Sequence, residues 1–122
     1  MVILMRTDLG MGAGKMASQA AHAATAFMID YYSSVKSSDA IFHWLFVDDI
    51  HDPLWPYGGM RKIVLGVGSE FELLSHVEKA RAVGLRFNVV TDEKLNTFTC
   101  ASIGPDWDHN IDPITGTLEL VK

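Results

Sequence analysis

The residues best suited to chemistry lie close together near the start of the chain. Gly10, Gly12 and Gly14 stand at alternate positions and lead directly into Lys15. A glycine-rich turn that feeds a helix offers an anion free backbone N–H groups and the positive end of the helix dipole. The Lys15 ammonium adds a full charge. The spacing is not that of a Walker loop, which would need glycine at position 9 and Ser or Thr at position 16, where Leu9 and Met16 stand. Nor is it a dinucleotide fingerprint, because the glycines fall at every second position. A tight turn followed by a surface lysine fits the same residues.

Lys15, Gln19 and His22 follow one another at i, i+4 and i+7, which puts them on one stripe of a helix. Either these polar groups serve a site with the turn, or they form a solvated face on which His22 bonds to a neighbouring backbone group. Asp106, Asp108, Asn110 and Asp112 imitate the opening of an EF-hand loop. That loop needs glycine at its sixth position and glutamate at its twelfth, where Ile111 and Thr117 stand, so calcium is not expected. His43 and His51 have no metal-ligand spacing. Cys100 is the only cysteine, so an internal disulfide is excluded. Its neighbours Phe98, Thr99 and Ala101 suit a buried structural thiol, with nothing adjacent to lower its pKa.

These residues must be positioned by the surrounding elements. Val2–Met5 is a short buried strand. Leu9–Gly14 is the turn, and an alanine-rich helix runs from Lys15 to about Tyr32, with Ala17, Ala20 or Ala21, Ala24, Phe27 or Met28, and Tyr31 at helical spacing. Small side chains let such a helix lie close against a sheet. Ser33–Asp39 breaks the pattern. Ala40–Val47 fits a helix or a strand, with a short helix capped by Ser38 or Asp39 favoured, and Asp48–Gly59 reads as a loop. Arg61–Val67 is a second strand. Ser69 caps a helix over residues 70–83, with Glu72 at the capping-box position, and Gly84 ends it. Leu85–Val90 and Phe98–Ile103 are further strands, Gly104-Pro105 is a turn, Pro105–Asp112 holds a helical turn, and Thr117–Val121 is extended. Strands alternating with helices give a three-layer α/β/α architecture on a small mixed, mostly parallel sheet.

The chain has 122 residues, 48% of them hydrophobic, which suits one domain over residues 1–122 with one core. No segment approaches the ~20 apolar residues of a membrane helix, and the start lacks the plan of a signal peptide, so the expectation is a cytoplasmic protein with no membrane partner. The net charge of −5 argues against holding nucleic acid by bulk charge. A local basic patch remains open if Arg6, Lys15, Arg61, Lys62, Arg81 and Arg86 converge. The aromatic residues Phe42, Trp44, Phe46, Trp55 and Tyr57 suit a core or a dimer interface better than a base-stacking platform.

Three separate stretches carry a resemblance to a known family. RTDLGMGAGKMASQAAHAA resembles the opening of the type 2 peptidyl-tRNA hydrolases, which have a strand, Asp-Leu, a Met-Gly-Lys-Gly-Lys turn and then Ala-Ala-Gln-x-Ala-His-Ala. RKIVLGVGSEFELLSHVEKARAVGL resembles their second strand and its helix, and IGP…IDPITGTLELV resembles their ending. The match spans nearly the whole chain apart from Ser33–Gly59.

The resemblance implies hydrolysis of the ester joining a stray peptide to tRNA, without a metal or nucleotide cofactor. It implies a small mixed sheet flanked by helices, and members often pair as homodimers. It places Lys15 of the turn, Asp92 at the end of the third strand, and Thr97 or Thr99 entering the fourth strand in catalytic roles. Gly12, Gly14, Gln19 and His22 become substrate-binding groups around them. Asp92 would act as base or water-orienter, and Lys15 or the turn N–H groups would steady negative charge.

The chain also departs from the pattern. Ala13 and Gly10 stand where the family carries lysines, and Asp92-Glu-Lys-Leu-Asn-Thr97 replaces the family's Asp-Ala-Gly-Arg-Thr loop, without its Arg-Thr pair. Those departures, with the net acidity, define the rival expectation: a non-catalytic module on the same fold that holds an anion or a protein partner.

Overall fold

The computed structural model describes residues 1–33 and 60–122. The helix expected over Ala40–Val47, the loop Asp48–Gly59, the aromatic cluster of Phe42, Trp44, Phe46, Trp55 and Tyr57, and His43 and His51 lie outside the described residues. In chain order the elements are β1 (Val2–Arg6), α1 (Ala13–Ser33), β2 (Ile63–Val67), α2 (Glu70–Ala82), β3 (Phe87–Asp92), β4 (Thr97–Ile103) and α3 (Asp108–Thr115).

The sheet order is β2-β1-β4-β3. β1 pairs with β2 in parallel, and the other two pairings are antiparallel. The sheet is mixed, as expected, but only one of its three pairings is parallel, so the mostly parallel part of the expectation is corrected. The reason lies in chain length. Only four residues, Glu93–Asn96, join β3 to β4, and a parallel crossover needs a dozen or more. Asn96 takes a left-handed φ of 50°, which lets the hairpin close.

Each strand turns alternate residues to opposite layers. From β1, Val2 and Leu4 join Leu65, Val67, Leu73, Val77 and Ile111 in the core beneath α2 and α3. Met1, Ile3 and Met5 join Ala23, Phe27 and Cys100 beneath α1. Helices thus cover both faces, as the three-layer expectation requires. The sheet-facing row of α1 is Met16, Ala20, Ala23, Ala24, Phe27 and Met28. Of the alternatives Ala20 and Ala21, Ala20 faces the sheet, whereas Ala17, placed on the buried stripe from the sequence, is exposed.

Ser69 caps α2 by accepting from Glu72 N–H at 3.0 Å. The Glu72 carboxylate accepts from Gly68 N–H at 2.7 Å, one residue before the partner of a standard capping box. Gly84, at φ 80°, ends the helix. The helical turn expected over 105–112 lies a few residues later, as α3. The closing extended segment runs beside β2, where Gly66 N–H donates to Glu119 O at 2.9 Å and Val121 N–H to Val64 O at 3.1 Å. It covers an edge that would otherwise stay open. Among the described residues, no helix is long and apolar enough to cross a membrane.

Candidate active site at one edge of the sheet

The C-terminal ends of β1, β2 and β3 and the start of β4 share one edge of the sheet, because Met5 pairs with Cys100, Arg6 with Val67 and Asp92 with Thr97. The turn before α1 opens onto the same edge. Gly10 holds a left-handed φ of 66°, and α1 begins where Met16 N–H donates to Gly12 O at 3.0 Å. The backbone N–H groups of Ala13, Gly14 and Lys15 precede that first helical bond. Gly12, Ala13 and Gly14 are exposed, so the turn meets solvent as an anion site would.

Lys15 and Gln19 reach from the first two turns of α1 to the end of β3. The Lys15 ammonium forms an ion pair and hydrogen bond with Asp92 Oδ2. Gln19 Nε2 donates to the same oxygen at 3.4 Å. The other oxygen, Oδ1, accepts from Leu95 N–H at 2.8 Å, which ties the carboxylate into the tight turn. On its far side Gln19 Oε1 accepts from Thr99 Oγ1 at 2.5 Å. An acceptor-only carboxylate orients the amide N of Gln19 toward itself, which leaves Oε1 for the threonine hydroxyl. The chain Thr99–Gln19–Asp92–Lys15 is continuous. Gln19 is 3% exposed, Asp92 8% and Thr99 0%.

A bulge makes this possible. Thr91 pairs with Phe98 and Val90 with Cys100, so Thr99 has no residue opposite it. Phe98 packs into the α2 layer and Cys100 into the α1 layer, although an uninterrupted strand would put both on one face. The phase change turns two neighbours toward α1 together. Thr99 bonds the Gln19 side chain, and Cys100 Sγ donates to Gln19 O at 3.3 Å. Burial pushes the Cys100 thiol up to about 11, so it is the inert structural group the sequence suggests.

The Lys15 ammonium and the N–H of Leu95 hold the Asp92 carboxyl below the usual carboxylate range. Asp92 is therefore ionised at neutral pH. A depressed folded-state pKa gives stability that is present above the unfolded value of about 3.9 and is lost as pH falls through the folded value. In a carboxyl-carbon NMR titration Asp92 should titrate below about 3.9, and Lys15→Met should move its midpoint up. A midpoint unchanged by that substitution would show that Lys15 does not hold the carboxylate.

The remaining expected groups are placed less uniformly. Thr97 sits opposite Asp92, and its Oγ1 accepts from Arg6 Nη1 at 3.0 Å. Arg6 is 8% exposed and also bonds Asp8 through two N–H groups, at 3.0 and 2.7 Å. The signal for this pair is the charged Arg-x-Asp that follows the apolar run of β1. His22 lies further along α1, exposed and outside the bonded chain. Gly12 and Gly14 contribute backbone only. Beside Arg6 an open groove of about 380 Å³ runs between Thr7, Met11, Met16, Gly66 and Val121.

The basic residues do not converge. Arg6 and Lys15 are at this edge. Arg61, Lys62 and Arg86 precede β2 and β3 and so stand at the opposite one, and Arg81 pairs with Glu78 on α2 at 2.5 Å. Among the described residues no group of three or more His, Cys, Asp or Glu is arranged to hold a metal ion. Asp106 of the EF-hand-like run instead accepts from Trp107 N–H at 2.7 Å and Asn110 Nδ2 at 2.6 Å, organising the start of α3.

The family model described as "Peptidyl-tRNA hydrolase PTH2" matches residues 1–121. A peptidyl-tRNA hydrolase of Metallosphaera sedula is 40% identical over 126 aligned positions. Those of Methanocaldococcus jannaschii and Saccharolobus islandicus are 36% and 37% identical. Each alignment covers 99% of this chain and 98% of the relative. With a family match over residues 1–121 and relatives aligned along 99% of its length, the chain belongs to the peptidyl-tRNA hydrolase type 2 family.

Proposed function

We propose that this chain hydrolyses the ester bond of peptidyl-tRNA, releasing the peptide and free tRNA. The observation that carries the reading is the joining of Lys15, Gln19, Asp92 and Thr99 into one hydrogen-bonded chain at a sheet edge. In the reaction the oxygen of water bonds to the acyl carbon, the bond from that carbon to the ribose oxygen breaks, and the ribose oxygen leaves with a proton. Asp92 orients the attacking water. Its low pKa makes it a weak base, so its main contribution is a fixed negative charge beside the water as that water turns positive. The Lys15 ammonium has further N–H groups beyond the one given to Asp92. With the turn N–H groups it steadies the oxyanion. Thr97 offers a hydroxyl beside Asp92. Thr99, whose proton goes to Gln19, acts by orienting that amide and has no free proton for substrate.

A cytoplasmic single-domain enzyme that pairs as a homodimer belongs to the same reading. Light scattering on the purified protein reads the pairing. The rival reading is a non-catalytic binding module, supported by the Lys15–Asp92 contact, which already satisfies much of the one ammonium in the turn. Incubation of the protein with peptidyl-tRNA decides between them: release of free tRNA supports the enzyme, and intact substrate at high protein concentration supports the module.

With few basic groups at the site edge, tRNA binding should depend only weakly on salt. Each phosphate contact contributes about one unit to the slope of log affinity against log salt. A slope of about −1 to −2 is expected from Lys15 and the exposed Lys94 of the hairpin, since Arg6 is buried against Asp8. A slope steeper than about −4 would require a phosphate track away from this edge.

A further inference from the structure

Arg6 is the buried charge that the chemistry above leaves without a task. Its guanidinium is fixed from two sides. Asp8 takes Nε and Nη2 in a bidentate pair, and Nη1 donates both to Phe98 O and to Thr97 Oγ1, each at 3.0 Å. The pair lowers the pKa of Asp8 and raises that of Arg6, chiefly through their hydrogen bonds, so both stay charged at neutral pH. A guanidinium can only donate. Wherever it touches a hydroxyl, it occupies a lone pair and excludes the hydroxyl proton from that direction.

The two threonines of β4 are therefore set to opposite tasks. Thr99 donates to Gln19 and faces inward. Thr97 accepts from Arg6, so its own proton must point elsewhere, and the residue opposite it across the hairpin is Asp92. We propose that the Arg6–Asp8 pair is a positioning unit that fixes Thr97 as a hydroxyl donor toward the reacting water or ester beside Asp92. Arg6 touches no reacting atom in this scheme, and it acts only through Thr97. The proposal rests on the hydrolase reading for its consequence in rate, and on geometry alone for its effect on Thr97.

Two measurements separate those layers. The first needs no activity: scalar couplings to the Thr97 methyl report whether the side chain holds one rotamer. One rotamer is expected in the wild type and averaging in Arg6→Met. A single rotamer retained without Arg6 would overturn the proposal and leave the hydrolase reading untouched. The second is a double-mutant cycle on peptidyl-tRNA hydrolysis. Thr97→Val and Arg6→Met should each lower kcat about 10-fold or more with KM little changed, and the double variant should be no slower than Thr97→Val alone. Multiplying losses would mean that Arg6 acts by another route, and would also overturn the proposal. If Arg6→Met fails to fold, Asp8→Asn keeps the guanidinium while removing the charge that aims it. It should give a smaller loss in kcat that again vanishes in the Thr97→Val background. Arg6→Lys should recover part of the rate, since an ammonium can still donate to Thr97. If the wild type does not hydrolyse peptidyl-tRNA, the proposed function fails, and the rotamer measurement still decides whether Arg6 positions Thr97.

Discussion

Asp92→Asn should lower hydrolysis on the order of 100-fold or more while the protein stays folded. The substitution keeps the shape and the oxygen that accepts from Leu95 N–H, but replaces the other oxygen with a donor. That donor would face the Lys15 ammonium and the Gln19 amide N, which both now give protons to Asp92 Oδ2. Either the pocket spreads or the amide turns over and abandons Leu95. In both cases the water beside it loses its negative partner. The fold survives because the Lys15 side chain is 34% exposed and can rehydrate once unpaired. Unchanged far-ultraviolet dichroism and a cooperative melt would check this beside the rate. The pH profile sharpens the test. Since Asp92 is held below the usual carboxylate range, it contributes no acid limb near neutrality. An acid limb at pH 6 to 7 that vanished in Asp92→Asn would instead identify a raised-pKa base, contrary to this account. Full activity in the variant would remove Asp92 from the mechanism.

Much of this edge was legible in the sequence. Three glycines before a lysine marked the turn, and helical spacing put Lys15 and Gln19 on one side of α1. Both do reach Asp92. His22 follows the same stripe but not the same surroundings. A row of residues four apart, Lys15, Gln19 and Ala23, runs along the sheet, and His22 lies beside it on the open side. Periodicity gives the face and cannot show where the partner sheet ends. The sheet direction was misread for a related reason. Alternating strands and helices suggest parallel pairing, but the short connection from Asp92 to Thr97 already called for a hairpin. Two features left no periodic trace. The bulge at Thr99 depends on which β3 residue pairs with which β4 residue. The Arg6–Thr97 contact joins positions 91 residues apart.

Lys15→Met should cost roughly 100-fold to 1000-fold in kcat, the range found when one preorganised donor to an oxyanion is removed. Methionine keeps most of the apolar stem, so the variant isolates the charge better than alanine does. Two effects combine in the loss. The oxyanion loses a donor, and Asp92 loses its main partner, so its carboxyl rises toward the ordinary range. A freer Asp92 would be a slightly better base, which partly offsets the first effect. Because the two residues act through one contact, the double variant Lys15→Met with Asp92→Asn should be no slower than the worse single variant. Multiplying losses would mean that each group serves a separate step. If Lys15→Met hydrolyses at the wild-type rate, the ammonium only holds Asp92. The oxyanion must then rest on the N–H groups of Gly14 and residue 15, which the substitution leaves in place. Gly14→Pro would test that last case directly. It removes one of those N–H groups within the first turn, where none makes a helical bond, and a large loss of rate in that variant with an unchanged melt would move the oxyanion site from the lysine to the backbone of the turn.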